Sequence, residues 1–152
     1  MRIQIKYDKL VTLLSAERIT FDDIRDTLAS FRGKRVHVVG DTIVDSFTDT
    51  TVIGGQTKTP TISVRYDDRR DYVGGAAIVA KHLRAAGAEV IFSTVLGDDD
   101  FKDFVLEDLE RAGVITNANL DAPRPTTNKN AIVADGYRLL KIDTLDNRPI
   151  SG

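Results

Sequence analysis

Between residues 35 and 112 the chain alternates strand-like and helix-like segments, and this constrains its fold more than any other feature. "RVHVVGD" (35–41) is rich in β-branched residues and reads as a buried strand opening into a loop at Gly40-Asp41. Ala76, Val79, Ala80, Leu83 and Ala86 then recur at helical spacing, with Gly87 at the C-terminal cap position. "EVIFSTVLG" (89–97) reads as the next apolar strand. In "DDDFKDFVLEDLERAGV" aspartates open a helix, Phe101, Phe104, Val105, Leu109 and Ala112 share a face, and Gly113 stops it. Strand, helix, strand, helix with short loops predicts an α/β layered fold with a mostly parallel central sheet.

The flanks read differently. Residues 1–19 carry a weak helical pattern (Leu10, Leu13, Leu14) and are expected to be an extension or linker, with the domain occupying 20–152. Thr20 is a plausible N-cap, Asp22 and Asp23 suit a first helical turn, and Ile24, Leu28 and Phe31 fall on one face. Residues 48–66 are rich in threonine and valine around Gly54-Gly55 and Pro60, as expected of a small sheet making an excursion from the main layer. Two strands, 128–134 and 137–143, flank Asp135-Gly136, a strong hairpin signal. The final "NRPISG" brings no closing helix, so an incomplete domain is expected.

Composition narrows the function classes. The 21 basic and 23 acidic residues are interspersed and leave a formal charge of -2, which provides no concentrated positive field for nucleic acid. The absence of cysteine excludes disulfides and thiolate chemistry and fits a reducing, cytoplasmic setting. The N-terminus has charges scattered through it where a signal peptide needs an apolar core, and no run approaches a membrane span, so no membrane partner is expected. Neither G-x-x-x-x-G-K-[ST] nor a post-strand G-x-G-x-x-G is present, which leaves a generic nucleotide-binding domain without a motif.

Candidate site residues cluster in two places. Gly74-Gly75 stand directly before a helix, where backbone amides can hold a hydroxyl or anion; the other reading is a sharp turn into a tightly packed, alanine-rich helix. Asp41 lies just past the first strand, at the edge where α/β sheets bind ligands, and Asp45 follows four residues later. Together they offer acceptors for hydroxyls, while capping of a turn or helix would equally explain Asp41. Capping explains Asp98 to Asp100. His37, inside a core strand, and His82, on a helix, lack metal-spaced partners and read as packing or surface residues.

Taken in order, "VHVVGDTIVD", the threonine-rich segment, "VGGAAIVAKHLRAAGAEV", "STVLGDDD", "LERAGV", "RPTTNKNAIV" and "RLLKIDTLD" resemble the N-terminal half of the ribokinase/PfkB sugar-kinase family, nearest the heptose-phosphate kinase branch, over about Val36 to Asp146. The resemblance implies a ribokinase-like layered fold with a small β-sheet lid, here the 48–66 excursion, that covers a sugar and forms a homodimer contact. By position, Asp45 becomes the sugar-binding aspartate and Gly74 and Gly75 the pair against which substrate lies. Lys129 matches a basic position of the heptose branch and suits a sugar phosphate, though a solvated strand lysine is the other reading, as for Arg138 and Lys141. ATP and Mg2+ serve the full-length family enzyme, and neither is expected to bind this chain tightly. The family's G-A-G-D block, which carries the catalytic base, has no counterpart here, so no catalytic or metal-binding residue is assigned. Ile78 replaces the Asn of the family's G-G-x-x-N. The alternative is a noncatalytic dimerisation module derived from the same fold.

Overall fold

The computed structural model describes residues 2–55 and 61–149, with residues 2–6 and 55 described by backbone alone. Pro60 and the chain from residue 150 lie outside the described residues. The elements are α1 (Arg2–Ala16), α2 (Phe21–Ala29), β1 (Arg35–Val39), β2 (Thr42–Gly55), β3 (Ile62–Gly75), α3 (Ala76–Ala85), β4 (Glu89–Leu96), α4 (Asp100–Arg111), β5 (Ile115–Leu120), β6 (Asn128–Ala134) and β7 (Tyr137–Thr144).

The alternating segment builds a three-stranded parallel sheet in the order β1-β4-β5. One of its faces carries Val36, Val38, Val90, Phe92 and Leu96, which pack with Ala77 and Ala80 of α3 and Val105 and Leu109 of α4 in a single core cluster. Small alanines on α3 let that helix lie close to the sheet. Phe101, Phe104 and Ala112 join the cluster as expected, whereas Val79 is 48% exposed because the buried stripe of α3 runs through Ala77. β1 departs from its expected burial. It is an edge strand with alternating exposure, Val39 stands 71% exposed, and His37 lies at the surface, its Nε2 2.8 Å from Ser93 Oγ. β5 has no counterpart in the sequence reading, because the polar alternation of "ITNANL" resembles a loop.

The excursion is larger than expected. β2 and β3 run 14 residues each and join the Asp135-Gly136 hairpin in one four-stranded sheet, ordered β3-β2-β6-β7, with β2 parallel to β6 and the other pairs antiparallel. Asp135 and Gly136 adopt φ of 49° and 76°, as the tight hairpin turn requires. Val44 and Val73 carry the core cluster into this second sheet.

Polar contacts fasten the two layers together. The buried hydroxyls of Thr42 and Thr94 are 2.9 Å apart. Asp99 caps α4 by accepting from the Lys102 amide at 3.1 Å, and its other carboxylate oxygen accepts from the Thr126 amide at 2.8 Å. Ser46, 1% exposed, bonds Asp71, Arg69 and Asn128, while the Arg69 guanidinium sits 5.1 Å from the centre of the Phe101 ring on α4.

At the N-terminal side, Thr20 and Asp23 form a reciprocal capping box on α2, and the hydrogen bonds from Thr20 hold the Asp23 carboxyl below its ordinary range. Phe31 packs against the core, but Ile24 and Leu28 remain 37% and 49% exposed. No helix among the described residues is long and apolar enough to cross a membrane.

Candidate functional site

Asp41 occupies the turn in which the chain leaves β1 and enters β2, at the carboxyl end of the parallel strands. Two cavities meet there. One, of about 330 Å³, is lined by Val39, Gly40 and Asp41 together with Ser93, Asn117 and Asn119. The other, of about 220 Å³, brings Asp41 and Ile43 together with Lys129 of β6, Arg124 and Asp146. Capping also acts at Asp41, through its backbone: the Asp41 carbonyl accepts from the Ala76 amide at 2.9 Å, in the first turn of α3.

Asp45, four residues past Asp41, lies in β2. Because side chains alternate along a strand, Val44 faces the core and Asp45 faces the opposite side with Ile43 and Phe47. β3 ends beside it, with Gly74 paired to Ile43 and Gly75 to Thr42. The Asp45 carboxylate rests against the Cα of Gly74, in the space a Cβ there would occupy. Gly75, with φ 63° and ψ -140°, turns the chain from β3 into α3. The carboxylate and the glycine pair therefore converge. The half-buried Asp45 carboxylate makes no hydrogen bond or ion pair with any described residue, an arrangement that leaves an acceptor available to a ligand.

Lys129 stands directly across from Asp45 in the β2–β6 register. It is not a free strand lysine: its ammonium donates to Asp143 Oδ2 at 3.1 Å, and this bond holds the Asp143 carboxyl below its ordinary range. Arg138 and Lys141 are exposed, as expected. Ile78 is half-buried on the first turn of α3.

Several neighbours of the site escaped the sequence reading. Tyr72, the cross-strand partner of Asp45, leaves its ring 51% exposed and meets Phe47 edge-on at 6.0 Å. Asn117 and Asn119 reach the first cavity through the alternation of β5, which was the available signal. Arg124 donates to the carbonyls of Asp146, Arg148 and Pro149 and to the Asp121 carboxylate, and so ties the segment after β7 to the second cavity.

That segment carries a pH response. Its hydrogen bonds with Arg148 pull the Asp146 carboxyl from 3.8 to about 2. A depressed carboxyl contributes stability above its unfolded value and loses it as pH falls through its folded value. The backbone amides of Asn147 and Arg148 should therefore titrate in NMR spectra with a midpoint near pH 2, below the ordinary 3.8. A midpoint at 3.8 would count against the pairing.

Among the described residues no group of three or more His, Cys, Asp or Glu could hold a metal ion.

Comparison with known proteins gives the same picture. Residues 34–149 match the model of the pfkB family carbohydrate kinases. The chain is 34% identical over 123 residues to the Bifunctional protein HldE of Hyphomonas neptunium, covering 78% of this chain and 25% of that protein. It is 34% identical over 109 residues to the D-beta-D-heptose 7-phosphate kinase of Bordetella bronchiseptica, covering 72% of this chain and 35% of the relative. The chain thus spans between a quarter and about a third of the length of these relatives. Among solved structures, the ribokinase of Cryptococcus neoformans var. grubii serotype A in complex with ADP superimposes with a TM-score of 0.56 at 26% identity, over 75% of this chain and 34% of that one. The family match covers most of the chain, and the layered fold with its second sheet is ribokinase-like: this chain belongs to the pfkB family of carbohydrate kinases.

Proposed function

We propose that this chain supplies the sugar-binding face and lid of a kinase that, in full-length form, transfers the ATP γ-phosphate to a hydroxyl of a sugar phosphate of the heptose class. The observation that carries this reading is the half-buried, unpartnered Asp45 carboxylate seated against Gly74. A carboxylate so placed accepts from two vicinal hydroxyls, Gly74 and Gly75 allow the sugar ring close to the backbone, and Tyr72 offers an aromatic face beside it. Lys129 has two further donors for the substrate phosphate. ATP and Mg2+ belong to the remainder of the full-length enzyme, and the relatives' names, HldE and heptose 7-phosphate kinase, support the substrate class.

The test is an NMR titration with D-beta-D-heptose 7-phosphate. Asp45→Asn should weaken binding by roughly 10- to 100-fold, the range for losing charge-assisted hydrogen bonds. Gly74→Ala should do so comparably while the chain stays folded, because its methyl group displaces the movable carboxylate. Undiminished binding by both variants would refute the assignment.

A second reading, a noncatalytic dimerisation module, rests on the far end of the β2–β3 ribbon, from the last β6 pair outward, where Val52, Ile53, Ile62 and Tyr66 are 47%, 63%, 55% and 63% exposed. Sedimentation would favour it if the chain dimerises and no sugar stabilises it against heat.

A further inference from the structure

The second sheet carries one row of side chains across its four strands: Tyr72 on β3, Asp45 on β2, Lys129 on β6 and Asp143 on β7 are successive register partners and share a face. Lys129 therefore stands between two carboxylates. Neighbouring strands are about 4.8 Å apart, so its ammonium can reach either one. It bonds Asp143. Among the described residues, the other cations near this row are already engaged. Arg70 pairs with Asp49 at 2.5 Å, Lys141 lies 3.6 Å from Asp143, and Arg124 is held by backbone carbonyls and Asp121. Among the described residues, Lys129 is the cation positioned to neutralise Asp45, and Asp143 is the group drawing it away.

We propose that Asp143 is a positioning residue: it holds the Lys129 ammonium on the β7 side of the row, so that Asp45 keeps its oxygens free for hydroxyls. It need not touch the sugar. Without Asp143, Asp45 is the carboxylate next to Lys129 along the row, and a salt bridge to it would occupy the acceptor the ligand needs. The functional half of this inference rests on the sugar-binding reading above, whereas the charge arrangement can be tested without any ligand.

The experiment uses the full chain labelled with 15N and 13C. In ligand-free protein, the hydrogen-bond coupling between Lys129 Nζ and a carboxylate carbon should connect to Asp143 Cγ in the wild type, to Asp45 Cγ in Asp143→Ala, and to the Cδ of the introduced side chain in Asp143→Glu. A Lys129 coupled to no carboxylate in Asp143→Ala would overturn the proposal. Binding of the unphosphorylated D-heptose, a neutral probe that makes no demand on Lys129 as a phosphate ligand, should weaken about fivefold in Asp143→Ala. It should return toward wild type in the double variant Asp143→Ala/Lys129→Met and in Asp143→Glu. A purely structural role for Asp143 would leave the double variant as weak as the single one, and that result would overturn the proposal as well. If the wild type binds neither heptose nor its phosphate, the sugar-binding reading fails, and the couplings still decide whether Asp143 holds Lys129 off Asp45.

Discussion

Gly75→Ala is expected to destabilise the chain by about 4 kcal/mol, the sum of left-handed backbone strain and overpacking against fixed atoms. The residue sits at φ 63° and ψ -140°, a region essentially confined to glycine. An added Cβ would lie 2.5 Å from the Asp41 carbonyl oxygen and 3.1 Å from the Ile43 amide nitrogen. Neither atom can yield easily, because the Asp41 carbonyl accepts the Ala76 amide and Ile43 sits within the β2–β3 ladder. Against a total stability of about 5–15 kcal/mol such a loss is large, and the urea midpoint followed by circular dichroism should fall sharply. An unchanged midpoint would mean that this turn does not set the path from β3 into α3. Gly74→Ala differs in kind, since the atom it meets is the end of a side chain and the effect appears in binding.

Phe92→Ala should cost about 3–5 kcal/mol, the range for emptying a buried aromatic site. Phe92 is fully buried on β4, the central strand of the parallel sheet, inside the cluster shared with α3 and α4. With β1 and β5 on either side, the strand has little freedom to close the cavity. The thermal midpoint should drop by roughly 10 °C for a chain of this size. Val39→Ala, on the open face and 71% exposed, is the matched control and should stay within about 0.5 kcal/mol of wild type. Equal losses in the two variants would show that the core is not where the cluster places it.

Both predictions concern features that were unequally legible. The helix starts at Thr20 and Asp99, the stop at Gly113 and the turn at Asp135-Gly136 were readable, because capping and turn chemistry depend on a few neighbouring residues. The exposure of β1 was not, since a β-branched run looks the same at the edge of a sheet as at its centre. β5 was missed because asparagines at alternate positions resemble a loop until neighbouring strands supply their hydrogen bonds. The convergence of Asp45 with Gly74 was anticipated only through the family resemblance. The Lys129–Asp143 pair was not anticipated at all, for it joins residues on two different strands and depends on register.

What the sequence alone determined was the succession of elements apart from β5, and the family, because periodicity, caps and ordered motifs are written locally along the chain. The tertiary structure decided which strands are edges, that the excursion and the late hairpin share one sheet, and which carboxylate holds the lysine. Those outcomes follow from strand order and register, and a shift of a single residue would turn Asp45 from the cleft toward the core.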